Sequence, residues 1–121
     1  MTYEARPEAA GENRKAQMLK GLAELALLSL LSERAHYGLE ILDRLRGDAG
    51  MDMAEGTIYP LLHRMEKAGL ARSEWRLESE GARPRKYYAL TDAGAVELAG
   101  QLAEWRRLSG SLNSFFDRSG A

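Results

Sequence analysis

The sequence predicts a mainly α-helical protein with one small β-hairpin and a long C-terminal helix. Apolar residues recur at three- and four-residue steps, the spacing of a buried helix face, in four segments: 15–32, 38–46, 55–68 and 91–117. Two shorter segments, 70–77 and 85–90, have strand character and flank a loop rich in turn residues. The order is therefore three helices, a hairpin and a final helix, which fits one domain of 121 residues.

Composition narrows the possible function classes. The chain has no cysteine, so it has neither a disulfide framework nor a thiolate metal site. Its net charge is -1, which argues against general coating of nucleic acid but allows a local cluster of cations. No segment has the roughly 20 apolar residues of a membrane span, and the N-terminus lacks a signal-peptide pattern. We expect a cytoplasmic protein without a membrane partner.

Few residues are candidates for catalysis. The histidines are His36 and His63, and no glycine-rich phosphate loop or nucleophile elbow accompanies them. A two-histidine metal site finds no support in their spacing. We expect no catalytic residue, no metal and no cofactor.

The N-terminal part of the chain is predicted in two pieces. Segment 1–14 lacks apolar periodicity, so we expect a flexible tail. The first helix follows directly, and Gly21 within it is unfavourable unless another helix packs closely there. The second helix is short and is ended by Gly47 and Gly50.

The start of the third helix has two possible caps. Asp52 with Glu55 fits a capping box, whereas Thr57 fits a later N-cap. Pro60 favours the later start, because a proline is harmless where its missing N–H has no helical partner. Gly69 ends the helix.

The third helix has one apolar and one polar face. Ile58, Leu61, Leu62 and Met65 fall on the side that faces the core. The opposite side suits a DNA groove, because recognition helices present their N-terminal residues to base edges and phosphates. The candidate DNA contacts on this helix are Gly56, Thr57, Tyr59, His63 and Lys67. The alternative interpretation is an ordinary solvated helix face.

The hairpin carries a compact group of cations. Arg83, Arg85 and Lys86 surround the rigid Pro84, and cations placed on phosphates add salt-dependent affinity for DNA. They could instead protect an edge strand from pairing. A basic hairpin directly after a reading helix favours a winged helix-turn-helix, which we assign to residues 15–90.

The last helix, 91–117, carries a seam with coiled-coil-like spacing. Its members alternate at four- and three-residue steps, with Ser109 as the polar one: Leu98, Leu102, Trp105, Ser109, Leu112 and Phe116. A small winged-helix core cannot cover the whole length of this helix. We therefore expect Leu98, Leu102, Trp105, Leu112 and Phe116 to form a homodimer interface. The alternative is a helix folded back on its own domain.

Two runs of residues resemble the signature of PadR-type transcriptional regulators. These runs are Gly56-Thr57-Ile58-Tyr59-Pro60 with its continuation to Leu70, and Arg83-Pro84-Arg85-Lys86-Tyr87-Tyr88 with its continuation to Gly94. The resemblance covers about residues 18–116 and is closest to the compact branch with a single C-terminal helix. It implies a dimeric, DNA-binding regulator, usually a repressor that a signal releases from its operator. A winged-helix protein–protein adaptor without operator binding is the alternative.

The resemblance also implies a place for an effector. Some relatives in the compact branch bind flat hydrophobic molecules at the dimer centre, and Glu104-Trp105-Arg106 resembles their helix at that place. We expect Trp105 to form a wall of such a pocket, with Met18 and Leu22 of the first helix as its lid. The alternative is that Trp105 is simply packed in the seam.

Overall fold

The computed structural model describes residues 7–118 and confirms the predicted fold class. Five helices and three short strands follow one another in the order α1 (Pro7–Lys20), α2 (Ala23–Glu33), β1 (His36–Tyr37), α3 (Gly38–Ala49), α4 (Glu55–Lys67), β2 (Ala71–Arg76), β3 (Arg85–Leu90) and α5 (Asp92–Arg118). Among these described elements, no helix is long and apolar enough to cross a membrane.

The N-terminal region differs from the sequence prediction. Helix α1 begins at Pro7, so the prediction of a tail over 1–14 is wrong for residues 7–14, and residues 1–6 lie outside the described part. The predicted single helix over 15–32 is divided by a turn at Gly21, where the Leu22 N–H donates to the Leu19 carbonyl at 2.9 Å. Nothing lies within 4 Å of a Cβ built on Gly21, so close helix packing does not explain this glycine.

The sheet contains one strand more than the hairpin. Strand β1 pairs with β3 in an antiparallel arrangement, and the strand order is β1-β3-β2. The hairpin register joins Trp75 to Lys86 and Arg76 to Arg85. Opposite residues in an antiparallel pair share a face, so Trp75 and Lys86 lie on one side of the wing and the two arginines on the other.

Helix α4 begins earlier than Pro60 suggested. Its N-cap residue is Ala54, and no side chain caps the helix, so neither Asp52 nor Thr57 has the predicted role. Pro60 lies inside the helix and removes the N–H that would bond the Gly56 carbonyl. Both residues are exposed, so water can reach this carbonyl, which explains why the proline is tolerated here.

The core is built around α2. Leu27 and Leu28 are fully buried, and α2 contacts α3, α4, α5 and strand β3. From α4, the four predicted core residues Ile58, Leu61, Leu62 and Met65 are all buried against this helix and its neighbours. The predicted amphipathic character of α4 is therefore confirmed, and the packing fixes which face of α4 points outward.

A compact joint connects α4 to α5. The Thr91 hydroxyl donates to the Gly69 carbonyl at 2.6 Å and accepts the Gly94 N–H at 3.0 Å, while the Thr91 N–H donates to the Leu70 carbonyl. Gly69 has a φ of 79°, a left-handed conformation that glycine adopts freely. Gly94 is buried, and a Cβ at this position would overlap the Leu70 carbonyl oxygen.

We expect Gly94→Ala to destabilise the protein by about 1–3 kcal/mol, because the methyl group would force α5 away from the Leu70 carbonyl. Gly47→Ala is the matched control, since Gly47 is also helical but has nothing within 4 Å of its built Cβ. It should be neutral or stabilising by up to about 1 kcal/mol. Urea denaturation at one protein concentration measures both, and equal effects would contradict the close approach.

Candidate nucleic-acid interface

The outward face of α4 carries the residues that the sequence predicted for DNA contact. Gly56, Thr57, Tyr59, His63 and Lys67 are all exposed, whereas the opposite side of the helix is buried. Nothing lies within 4 Å of a Cβ built on Gly56, so the surface near the helix N-terminus is open. The face is therefore accessible along the length of the helix and contains donors suited to a nucleic-acid backbone.

Tyr59 is held in place by the helix that precedes it. Its ring lies over Gly38 at the start of α3, where any Cβ would overlap the ring. Partial burial raises the pKa of the Tyr59 hydroxyl, and the negative charge of Glu55 adds to this shift. The hydroxyl thus stays protonated at physiological pH and can donate a hydrogen bond to a phosphate oxygen.

On the outer face of the wing, aromatic rings support the cations. The Arg85 guanidinium lies 4.4 Å from the Tyr37 ring centroid, and Arg76 lies 4.5 Å from that of Tyr87. The two tyrosines contact each other edge to face at 5.4 Å. Cation–π contacts of this kind fix the position of a guanidinium without neutralising its charge. Sequence analysis missed this role of Tyr37 because the strand that carries it was not predicted.

Lys86 is less free than the other predicted wing cations. Its ammonium lies 3.9 Å from a carboxylate oxygen of Glu66 in α4 and 5.4 Å from the ring centroid of Tyr88. Glu66 also accepts a hydrogen bond from the Ser73 hydroxyl on β2. These contacts make Glu66 the polar link between α4 and the wing. Arg83, in contrast, is exposed in the loop that precedes β3.

The wing and the helices enclose a small notch. Its volume is about 300 Å³, and its walls are formed mainly by aromatic residues, with two cations at the rim: Tyr37, Leu39, Tyr59, Trp75, Tyr88, Arg85 and Lys86. Trp75 is 69% exposed, which is unusual for a tryptophan and places a large apolar ring beside the basic wing. Sequence patterning does not reveal that Trp75 lines a notch together with Tyr59 of α4.

The buried His36 has a structural role. The Arg44 guanidinium lies 3.2 Å from Nε2 and can only donate, so Nε2 accepts and Nδ1 carries the hydrogen that is donated to the Arg34 carbonyl at 2.7 Å. Arg44 is held in turn by Glu33 and Asp48. Among the side chains that the structure describes, no cluster of three or more from His, Asp and Glu is placed to hold a metal ion.

The family model for the "Transcriptional regulator PadR-like family" matches residues 27–100 of this chain. The chain belongs to the PadR-like family. This PadR-like chain is 38% identical to a PadR-like transcription factor from Bacteroides fragilis, with 85% of this chain and 98% of that chain covered and a TM-score of 0.69. A comparison with curated proteins found no match.

Two further structures agree with this assignment. A PadR-like transcriptional regulator from Bacillus cereus is 35% identical, with 83% of this chain and 96% of that chain covered and a TM-score of 0.74. A PadR family regulator from Eggerthella lenta is 29% identical, with 93% and 94% covered and a TM-score of 0.76. This PadR protein is therefore a DNA-binding transcriptional regulator and not an enzyme, which confirms the two broadest predictions from the sequence.

Glu66→Ala should destabilise the PadR fold by about 1.5 kcal/mol, because it removes a partly buried, charge-assisted hydrogen bond to Ser73 and the carboxylate beside Lys86. Glu74→Ala serves as the control on the same wing, since its ion pair with Arg76 is exposed. That change should stay within about 0.5 kcal/mol. Denaturant unfolding compares the two, and a Glu66 effect as small as the Glu74 effect would mean that Glu66 does not link the elements.

Proposed function

We propose that this PadR-family protein is a cytoplasmic, ligand-responsive repressor that binds an inverted-repeat operator as a homodimer. The observation that carries the proposal is the exposed face of α4, which lies beside a wing whose cations are supported by aromatic rings. Helix α4 would read the major groove while the wing contacts the backbone. Two such units related by a two-fold axis would recognise half-sites about 10 bp apart.

The proposal assigns different tasks to the two groups of residues. Tyr59, His63 and Lys67 would contact bases and phosphates within the groove, with Gly56 and Thr57 allowing the backbone to approach closely. Arg83 and Arg85 would contact phosphates, because neither has a carboxylate partner among the described side chains. Lys86 would join them only after leaving Glu66.

Arg83→Ala combined with Arg85→Ala should weaken binding to operator and to unrelated DNA alike. Loss of two phosphate contacts should flatten the slope of log K against log salt by about 2 units. Tyr59→Ala should instead weaken operator binding more than nonspecific binding. Gel shifts or fluorescence anisotropy on DNA upstream of the gene, at several salt concentrations, measure both effects.

The control for the wing variant is Arg46→Ala combined with Arg107→Ala, which removes two cations that already pair with Asp43 and Glu104. This control should leave the salt slope within experimental error of the wild type. If the wing variant and the control had the same affinity and slope, the assigned interface would be wrong, and an adaptor function without operator binding would be favoured.

Helix α5 supports dimer formation in its second half. The helix has 27 residues and is therefore about 40 Å long, more than the rest of the chain can cover. Leu98 packs against the core of its own chain, so its predicted place in the interface is not supported. Leu102 is half-buried, whereas Trp105, Leu112 and Phe116 are exposed, so these three remain the strongest interface candidates.

Leu112→Asp combined with Phe116→Asp should convert dimers to monomers in sedimentation velocity, because two charges would be buried in an apolar interface. The control is Ala103→Asp combined with Ser114→Asp, which places the same charge on the opposite face of α5. The control should sediment as the wild type does. A wild-type protein that is monomeric at micromolar concentration would refute the dimer.

The effector would lie at the centre of this dimer. Trp105 is 41% exposed and Met18 75% exposed on the single chain, whereas Leu22 is half-buried. Two Trp105 rings near a two-fold axis could hold a planar hydrophobic molecule by stacking. Such a ligand would release DNA only if it preferred a dimer in which the reading helices are wrongly spaced.

A further inference from the structure

A groove lies between α1 and α4, lined by residues that are far from Trp105 in the sequence. Its volume is about 740 Å³, within the size range of pockets for small organic molecules. Its apolar wall includes Leu19, Ala23, Met53 and Leu61, and two cations, Lys20 and Arg64, stand beside it. The groove thus combines an apolar bed with positive charge.

The cations of the groove have no carboxylate partner among the side chains that the structure describes. Among the described side chains, no ion pair involves Lys20, Arg64 or the neighbouring Lys67. Six other cations do form ion pairs with carboxylates: Arg34, Arg44, Arg46, Arg76, Lys86 and Arg107. An adjoining groove of about 620 Å³ brings all three free cations together with Glu24. The Glu24 carboxylate accepts a hydrogen bond from the Gln101 side chain of α5 at 2.8 Å, and this bond fixes its position. Asp52 is the acidic residue of the larger groove.

We propose that the groove between α1 and α4 binds a small organic anion, with an apolar body on Leu19, Met53 and Leu61 and a carboxylate at Lys20 and Arg64. A carboxylate accepts hydrogen bonds from ammonium and guanidinium groups, and charge-assisted bonds of this kind are stronger than neutral ones. Removal of the apolar body from water supplies the remaining affinity. None of the residues assigned to the dimer centre, Trp105, Met18 and Leu22, lines this groove.

The site is in direct contact with the reading helix. Ala54, Thr57, Leu61 and Arg64 all line the groove, and they span the N-cap and the first three turns of α4. On the other wall, α1 packs against the core through Leu19. An anion in the groove therefore contacts the helix that presents Tyr59 and His63 on its other side. Any effect of the bound anion on operator affinity rests on the proposed function, whereas anion binding itself does not.

Isothermal titration calorimetry of the wild-type protein without DNA tests the proposal, with 1-naphthoate as the anion and 1-naphthylmethylammonium as its cationic counterpart. We expect naphthoate to bind at least about tenfold more tightly than the cation. Lys20→Gln combined with Arg64→Gln should weaken naphthoate binding at least about tenfold, because both charged partners are lost. Arg14→Gln combined with Lys15→Gln, two α1 cations that do not line the groove, should bind as the wild type does.

Further variants separate this site from the other possibilities. A planar naphthyl probe can also stack at the proposed dimer centre, so the titrations are repeated in Trp105→Ala. In that variant naphthoate should still bind at least about tenfold more tightly than the cation. Complete loss of naphthoate binding there would place the anion at the dimer centre and overturn the proposal. Equal binding of the two naphthyl probes in Trp105→Ala, or no binding of naphthoate to the wild type at millimolar concentration, would also overturn it. Circular dichroism confirms that each variant is folded. Operator affinity, measured without naphthoate, is a separate readout: if the Lys20 and Arg64 variant lost only DNA affinity and salt dependence, these cations would serve DNA phosphates, and the anion site would be refuted.

Discussion

Burial of α2 is the constraint on which the rest of the structure depends. Its side chains Leu27, Leu28 and Leu31 are almost completely removed from solvent, and each such burial is worth about 1.5–3 kcal/mol. Because α2 contacts α3, α4, α5 and β3 at once, the reading helix and the central strand of the wing sheet take their positions from this helix, and β1 and β2 take theirs by pairing with β3. Helix α4 can bury only the side that bears Ile58 and Leu62, so the polar side must face outward. The accessibility of the reading face is thus a consequence of core packing.

Ion pairing determines where positive charge remains available on a chain whose net charge is -1. On α3, carboxylates neutralise Arg44 and Arg46, and the buried His36 uses Arg44 as a hydrogen-bond donor. Along α4 and at the wing tip, cations without carboxylate partners remain among the described side chains. Arg85 is placed by the ring of Tyr37, which orients the guanidinium without neutralising it. A chain with almost no net charge can therefore present a locally positive surface, which overall composition does not reveal.

Periodicity predicted the elements that bury a continuous face. The fold class, the two faces of α4 and the hairpin all follow from residue spacing. Strand β1 was missed because two residues show no alternation, and it exists only because β3 offers a free edge. Residues 7–14 lack an apolar face, so their helix left no periodic signal. The prediction of a later α4 start, made from Pro60, was wrong. The proline is tolerated because Gly56 is exposed to water, and this exposure depends on tertiary packing that the sequence pattern does not show. Leu98 has seam spacing, yet only the packing of α5 on α2 shows that it faces its own core.

The joint at Thr91 connects recognition to assembly. In a dimer, α5 can control the spacing of the two α4 helices only if it is attached rigidly to them. A flexible connection would not transmit a rotation of α5 to α4. Here the hydroxyl of Thr91 bonds both the Gly69 carbonyl at the end of α4 and the Gly94 N–H in the first turn of α5. The absence of a side chain at Gly94 lets α5 approach the Leu70 carbonyl directly. A change in the packing of α5 would therefore be transmitted to the C-terminal end of α4 as a rigid movement. A ligand in the groove contacts α4 near Thr57, at the N-terminal end of the same helix. The dimer-centre site and the groove would therefore act on the position of α4 from its C-terminal and N-terminal ends, respectively.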